Sequence, residues 1–273
     1  MESLIECMIP ITGNGISDDL FFVQVIDGII QSAENNGYKM VLNLLTSKTL
    51  QTAECNNCVA EGIILVNSLF DHSIIDRIQS ANIPLVVIGS PENRENLFTV
   101  DIDTVGAAFQ IANYIMAKGH KNIFYINSPS TYAYSRQYCT GFKLAHKENG
   151  IPWDDRNCVE HPVTPEAGYF AAEDILKDAP QCSAIITTSE IVAKGVLDRL
   201  SVDNKLNRKK LAVVSMGGTP ISRLYKPGIT TIDFFPKNLG FIAADLLHEV
   251  ISRKRIRPSH FLLPTKLVER DSA

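Results

Sequence analysis

The chain has 273 residues, of which 45% are hydrophobic and 21% charged, and its formal net charge is −4. This composition is typical of a globular protein that is long enough to form two compact domains. The acidic balance argues against nucleic-acid binding by these residues, because phosphate binding needs a basic face. No stretch reaches 18 uninterrupted apolar residues, which argues against a membrane span, and the start, MESLIECMIP, lacks the basic region of a signal peptide.

The first half of the chain alternates apolar strands with amphipathic helices. Apolar residues at i, i+4 spacing predict a helix over residues 20–38, which a glycine at position 37 would end. Further helices are predicted over residues 48–58, HSIIDRIQSA and residues 104–118. The predicted strands are LIECMIPI, YKMVLNLL, EGIILV, IPLVVIG and NLFTVD.

The second half repeats this scheme. Helices are predicted over residues 134–149, PEAGYFAAEDILKD, EIVAKGVLDRLS and residues 237–252. The predicted strands are NIFYIN, CVEHP, SAIITT, KLAVVSM, GITTIDFF and a terminal strand, FLLPTKLVER. Continuous apolar strands separated by amphipathic helices indicate parallel sheets that are covered on both faces. We therefore expect an α/β fold of two parallel-sheet lobes, each of about 130 residues.

Polar loops follow the predicted strands at their carboxyl ends, where parallel sheets bind ligands. The loops are TGNGISDD, GSPEN, SPSTYAYSR, TTSE and SMGGTP. None of them carries a dinucleotide-binding, P-loop, nucleophile-elbow or zinc-protease motif. The six cysteines are scattered, and ECNNC has no second ligand pair that would make it a metal site. The sequence therefore predicts no cofactor, no metal and no enzymatic activity, and it indicates a binding protein.

The residue types in these loops favour a carbohydrate ligand. A sugar presents an apolar face that stacks on aromatic rings and a rim of hydroxyls that needs donors and acceptors. Arg136 can donate a pair of hydrogen bonds to neighbouring hydroxyls, and tyrosines can stack or donate. Helix capping, core packing or a surface ion pair are the structural alternatives for each residue. The candidates from loop position are Phe21, Phe22, Asp101, Tyr134, Arg136, Tyr138, Glu190 and Asp233.

The order of motifs resembles the effector-binding core of the lactose/galactose repressor (LacI/GalR) family of bacterial transcription regulators. The motifs that carry the resemblance are MIPITGNGISDDLFF, EGIIL, IPLVVIG, FTVDID, IMAKGHKNIFYIN, SRQYCTGF, AIITTSEIVAKGVL, PGITTID and PTKLVERDS. They span nearly the whole chain. Within the family, the chain looks most like the maltose-type regulators of Gram-positive bacteria.

The resemblance implies a type I periplasmic-binding-protein-like fold, with two lobes joined by three crossings. The expected lobes are residues 1–101 with 234–264, and residues 102–233 with 265–273. The family also implies a cytoplasmic homodimer that binds a mono- or oligosaccharide effector in the cleft between the lobes. Operator DNA would be bound by a helix-turn-helix headpiece, which this chain is expected to lack because it begins at the first core strand. The implied function is that of the ligand-sensing domain of a sugar-responsive transcriptional regulator. An extracytoplasmic sugar-binding receptor with the same fold is the alternative, and turnover of a bound sugar would instead indicate an enzyme.

Three polar anchors of the family's pattern, one of them a pair of residues, are altered in this chain. Tyr138 stands where the family has its ligand-binding arginine, and Ser189 and Glu190 replace an Asn-Asp pair. Gly217 replaces an acidic residue. The added tyrosines and the pair Phe234-Phe235 favour a longer or more stacked ligand such as an oligosaccharide. Ser189 and Phe235 are therefore included among the predicted ligand contacts.

Overall fold

The computed structural model describes residues 3–10, 20–46, 60–66, 73–89, 91, 96–202, 211–255, 257 and 259–273. The chain divides into two compact units. The N-terminal lobe consists of Met1–Ile102 and Phe235–Pro264, and the C-terminal lobe of Asp103–Phe234 and Thr265–Ala273. The chain therefore passes from one lobe to the other three times.

The N-terminal lobe contains one six-stranded sheet, in the order β2-β1-β3-β4-β5-β11, in which all pairs are parallel. All five residues of β3 are buried, as expected of a central parallel strand covered on both faces. Its strands are β1 (Leu4–Pro10), β2 (Lys39–Leu45), β3 (Gly62–Val66), β4 (Leu85–Ile88), β5 (Phe98–Ile102) and β11 (His260–Leu263). Its helices are α1 (Leu20–Asn35), α2 (Ser73–Ser80) and α8 (Pro236–Ile251).

The C-terminal lobe has the same order of strands, β7-β6-β8-β9-β10-β12, and only the β10–β12 pair is antiparallel. Its strands are β6 (Ile123–Asn127), β7 (Cys158–Glu160), β8 (Ala184–Thr187), β9 (Ala212–Gly217), β10 (Thr230–Asp233) and β12 (Lys266–Val268). Its helices are α3 (Thr104–Ala117), α4 (Ala133–Glu148), α5 (Pro165–Asp178), α6 (Glu190–Val202) and the single turn α7 (Ile221–Leu224). Two mostly parallel sheets confirm the predicted fold class.

The carboxyl half of the chain differs from the prediction at two points. The predicted terminal strand FLLPTKLVER is two strands, because it breaks at Pro264 and the chain there changes lobes. The strand predicted over GITTIDFF ends at Asp233, since Phe235 takes a left-handed conformation with a φ of 50°. The helix predicted over residues 48–58, the C-x-x-C pair at Cys55 and Cys58, and most of the TGNGISDD and GSPEN loops lie outside the described residues.

Apolar side chains between sheet and helices form the core of each lobe. In the N-terminal lobe, Ile63 and Leu65 of β3 pack with Ile74 and Ile78 of α2, and all four are fully buried or nearly so. Burial of a side chain of this size contributes about 1.5–3 kcal/mol relative to its exposure. Within the part of the chain that the structure describes, no helix is both long and apolar enough to cross a bilayer.

Candidate functional site

The C-terminal lobe has a switch point between β6 and β8. The chain continues from β6 to β7 on one side of this point and from β8 to β9 on the other. The two crossovers therefore run in opposite directions along the sheet, and their right-handedness places them on opposite faces. Open α/β sheets bind ligands at such points, outside the carboxyl ends of the strands. The corresponding switch point in the N-terminal lobe lies between β1 and β3, and the loops that follow these strands are outside the described residues.

A cluster of hydroxyls lies directly at this switch point. Ser128 Oγ, after β6, is 2.9 Å from Thr188 Oγ1, after β8. Tyr134, at the start of α4, donates its phenolic proton to Ser128 Oγ over 3.1 Å. Ser135 donates to the Ser128 carbonyl over 2.6 Å, which fixes the entry of the chain into α4. The loops SPSTYAYSR and TTSE therefore converge, although Ser128 and Thr188 were not predicted individually.

Three tyrosines follow this cluster, at different depths. The rings of Tyr132 and Tyr134 are stacked, with centroids 5.3 Å apart and an interplanar angle of 24°, and both side chains are half-buried. Tyr138 lies one helical turn further on and is only 4% exposed, between Tyr134 and Phe142. Tyr132 and Tyr134 thus offer an accessible aromatic surface, whereas Tyr138 supports it from inside the lobe.

Arg136 secures the loop from which α4 starts. Its Nη1 donates to the Ser130 carbonyl over 2.8 Å, and the side chain is half-buried. Ser130 is held from the other side, because its amide and hydroxyl both donate to Glu160 Oε2.

Ser189 stands at the junction of β8 and α6. Its Oγ is buried and has no hydrogen-bond partner among the described residues. A buried hydroxyl without a partner costs about 1–3 kcal/mol, so such groups in native proteins require an explanation. A ligand that reaches this edge of the sheet would supply the missing partner.

Glu190, the first residue of α6, is 1% exposed and holds the loop after β9. Its Oε1 accepts hydrogen bonds from the amides of Gly218 (2.6 Å) and Thr219 (3.1 Å) and from the Thr231 hydroxyl (3.1 Å). Its Oε2 accepts from the Thr219 hydroxyl over 3.2 Å. Burial raises the pKa of the Glu190 carboxyl to about 7, although these hydrogen bonds favour the ionised form.

Asp233 closes the same edge at the end of β10. The loop after β9 passes so near that a Cβ on Gly218 would lie 2.0 Å from Asp233 Oδ1, and Gly218 has a φ of 90°. Only glycine allows the backbone to approach the carboxylate in this conformation. Tyr134, Arg136, Ser189, Glu190 and Asp233 are thus all at the carboxyl edge of one sheet, as predicted from their loops.

The remaining predicted residues belong to the N-terminal lobe. Phe21 and Phe22 open α1, both half-buried, with their rings edge to face at 5.8 Å. Asp101, in β5, accepts a hydrogen bond from the Ile102 amide over 2.8 Å. Phe235, half-buried, precedes the first turn of α8. Direct contact of these residues with a ligand stays a prediction.

No metal site accompanies these residues. Within the described ranges, no three of the side chains of His, Cys, Asp and Glu lie close enough together to hold an ion.

Comparison with known proteins identifies the family. The Periplasmic binding protein-like domain family matches residues 112–273, more than half of the chain. The HTH-type transcriptional regulator MalR of Clostridium butyricum is 26% identical over 262 residues, which are 92% of this chain and 78% of that protein.

Two solved structures share the fold. A putative transcriptional regulator LacI from Bacillus cereus subsp. cytotoxis superposes with a TM-score of 0.89 at 25% identity, covering 100% of this chain and 99% of that one. A complex of the transcriptional regulator CelR with cellobiose has a TM-score of 0.92 at 20% identity, covering 99% and 84%. The chain belongs to the periplasmic-binding-protein-like family, in the form found in the effector domains of LacI/GalR transcriptional regulators.

Proposed function

We propose that the chain is the ligand-sensing core of a sugar-responsive bacterial transcriptional repressor. Its relatives are transcriptional regulators rather than enzymes, and regulators of this family bind small effectors and operator DNA. The proposed role is binding without turnover. DNA would be contacted by a helix-turn-helix headpiece joined to this core, and two copies would form a homodimer in the cytoplasm.

The observation that carries the proposal is the buried hydroxyl of Ser189. It lies without a described partner at the carboxyl edge of the sheet, directly after β8. The hydroxyl cluster of Ser128 and Thr188 and the stacked rings of Tyr132 and Tyr134 are at the same switch point. Hydroxyls beside an aromatic surface suit a saccharide, which needs polar partners at its rim and a ring against its apolar face.

We infer that a saccharide is bound at the carboxyl edge of the C-terminal lobe, while Phe21, Phe22, Asp101 and Phe235 of the N-terminal lobe stay predicted ligand contacts. A ligand that binds one conformation of the core more tightly than another shifts the protein toward that conformation. A coupling of about 1–3 kcal/mol between this state and the headpiece would change operator affinity by about 5- to 150-fold.

The proposal is tested by ligand binding to the purified chain. A thermal-shift screen with maltose, maltodextrins, galactosides and sugar phosphates is expected to raise the melting temperature with at least one saccharide, because a ligand that binds only the native state stabilises it. Calorimetric titration then gives its affinity, and chromatography of the ligand after incubation checks that it is unchanged. Stabilisation by nucleosides alone, or turnover of the sugar, would contradict the proposal.

Ser189→Ala links the ligand to this edge. We expect the variant to bind the saccharide roughly 3- to 10-fold more weakly, because one hydrogen bond is lost. Without ligand it should be more stable than the parent by about 1–3 kcal/mol, because the substitution removes a buried hydroxyl that has no partner among the described residues. Ser201→Ala is the matched control, since Ser201 is exposed at the end of α6. Equal affinity of the two variants for the saccharide would show that Ser189 does not contact the ligand.

A further inference from the structure

Two cysteines of the C-terminal lobe lie side by side below the candidate site. Cys139 of α4 and Cys158, the first residue of β7, have their sulfur atoms 3.3 Å apart. A disulfide has an S–S distance of about 2.05 Å, so the two sulfurs need to approach by only about 1 Å. They are separated by 19 positions in the sequence, and it is the register of β7 along Tyr125 of β6 that brings them together.

The surroundings of the pair distinguish it from the other described cysteines. Cys139 and Cys158 are both half-buried, as is Cys182, so the contacts of the pair and not its burial set it apart. A hydrogen bond from Cys158, with smaller contributions from the Asn127 amide and the Lys143 ammonium, lowers the pKa of Cys139 to about 7. Burial instead raises the pKa of both Cys7 and Cys182 to about 12. Cys139 therefore has a larger thiolate fraction near pH 7 than Cys7 or Cys182, and thiolate is the reactive form.

We propose that Cys139 and Cys158 form a reversible disulfide when the protein meets a hydroperoxide. The Cys139 thiolate attacks the terminal peroxide oxygen, the O–O bond breaks, and the leaving alkoxide or hydroxide takes up a proton. The product at Cys139 is a sulfenic acid. The sulfur of Cys158 then attacks the sulfenic sulfur, forms the S–S bond and displaces water, for which the Cys158 thiol supplies the proton. In total the two thiols lose two electrons and two protons, and hydrogen peroxide becomes two molecules of water.

The bond would act on the part of the lobe that carries the polar edge. Asn127 Nδ2 donates both to Cys139 Sγ (3.3 Å) and to the Ser135 carbonyl (2.9 Å), and Asn127 Oδ1 accepts from the Ser128 amide (2.9 Å). The oxidised pair would also tie α4 to β7. Asn127 therefore contacts both Cys139 and the segment that carries the hydroxyl cluster, so formation of the disulfide would be felt at Ser128 and Ser135. Disulfide formation does not depend on the proposed ligand binding.

The experiment reads the sulfur atoms directly. The folded chain is treated with hydrogen peroxide near pH 7, quenched by acid, alkylated and digested, and the fragments are identified by mass spectrometry. We expect a linked pair of peptides containing Cys139 and Cys158, two hydrogens lighter than the free thiols and restored by dithiothreitol. Circular dichroism before and after oxidation checks that the chain stays folded. No such link in the folded protein, or one that dithiothreitol does not reverse, would overturn the proposal.

Cysteine variants test which thiol reacts with the peroxide and which one then forms the disulfide. The background is Cys55→Ser with Cys58→Ser, which removes the cysteines of ECNNC as competing partners. In that background Cys158→Ser is expected to accumulate sulfenic acid at Cys139, trapped by dimedone, whereas Cys139→Ser is expected to give no adduct at Cys158. Cys182→Ser is the matched control and should keep the disulfide.

Reactivity without any variant gives a second measurement. Near pH 7 we expect iodoacetamide to modify Cys139 at least about 100-fold faster than Cys182, because the larger thiolate fraction outweighs its lower intrinsic nucleophilicity. Equal rates, or absence of trapped sulfenic acid in Cys158→Ser, would contradict the assignment of Cys139 as the attacking thiol.

Discussion

The protonation of Glu190 gives the C-terminal lobe a specific dependence of stability on pH. Burial raises the pKa of this carboxyl from 4.5 to about 7 in the native state. Between these values the native lobe holds a proton that the unfolded chain has released, so the free energy of unfolding falls as the pH rises. The contribution is fully present below pH 4.5 and is lost above about pH 7. A shift of this size corresponds to about 3 kcal/mol.

Glu190→Gln isolates this contribution. The amide oxygen can accept from Gly218 and Thr219 as Oε1 does, and the amide nitrogen can donate to the Thr219 hydroxyl. The variant therefore keeps the contacts of the protonated acid but does not titrate. The difference in unfolding free energy between parent and variant is expected to change by about 2.5 kcal/mol between about pH 5 and about pH 8, with the parent losing stability.

Urea unfolding followed by tryptophan fluorescence makes this measurement. The chain has a single tryptophan, Trp153, and it lies in the C-terminal lobe beside Tyr125 and His146. The signal therefore reports the unfolding of the lobe that contains Glu190. A difference between parent and variant that stays within about 0.5 kcal/mol over this pH range would refute the reasoning.

Two further substitutions test the local geometry of this lobe with the same assay. Gly217→Ala is expected to lower the free energy of unfolding by about 2–3 kcal/mol, because its Cβ would lie 2.2 Å from Glu190 Oε2 at a φ of 141°. Gly150→Ala is the control: its Cβ would have open space, so it should cost only about 1 kcal/mol for its φ of 63°. Equal losses in the two variants would contradict a steric contact with Glu190. Asp103→Ala is expected to lower the free energy of unfolding by about 1 kcal/mol, because Asp103 Oδ1 caps α3 by accepting a hydrogen bond from the Gly106 amide over 2.8 Å. Asp103→Asn keeps an oxygen acceptor and should cost only a few tenths of a kcal/mol. Similar losses in both variants would exclude capping as the cause.

Hydrophobic periodicity was sufficient to predict the fold class. Runs such as SAIITT and KLAVVSM are apolar on both faces, and the structure buries all of β8 and β9. The pairing of strands that lie far apart in the sequence could not be predicted in the same way. FLLPTKLVER reads as one strand, yet β11 is parallel to β5 and β12 is antiparallel to β10. The proline that separates them marks a break, but neither partner strand can be inferred from these ten residues.

In the candidate site, too, some features could be predicted from the sequence and others could not. Loop position placed Tyr134, Arg136 and Ser189 at the carboxyl edge of the sheet, since that edge follows from strand order. The direction of a side chain does not follow from it, and Tyr138 lies inside the lobe. Tyr138 and Phe142 are spaced i, i+4, which is typical of the buried face of a helix, and their rings are stacked in the structure. The pairing of Ser128 with Thr188 joins residues 60 positions apart and has no local signature.

The two unusual residues of this edge, Glu190 and Gly217, are explained by the same contact. The family resemblance implies a shorter acid at the first position and an acidic residue at the second. In the structure, the longer side chain of Glu190 brings its Oε2 to 2.2 Å from the point where a Cβ on Gly217 would lie. The carboxylate of Glu190 therefore occupies the space that a side chain at position 217 would need, so glycine at 217 accommodates the longer acid at 190. Since that carboxylate is buried and bonded to the loop after β9, we expect it to shape the edge for a ligand. The hydroxyl of Ser189 beside it has no hydrogen-bond partner among the residues that the structure describes.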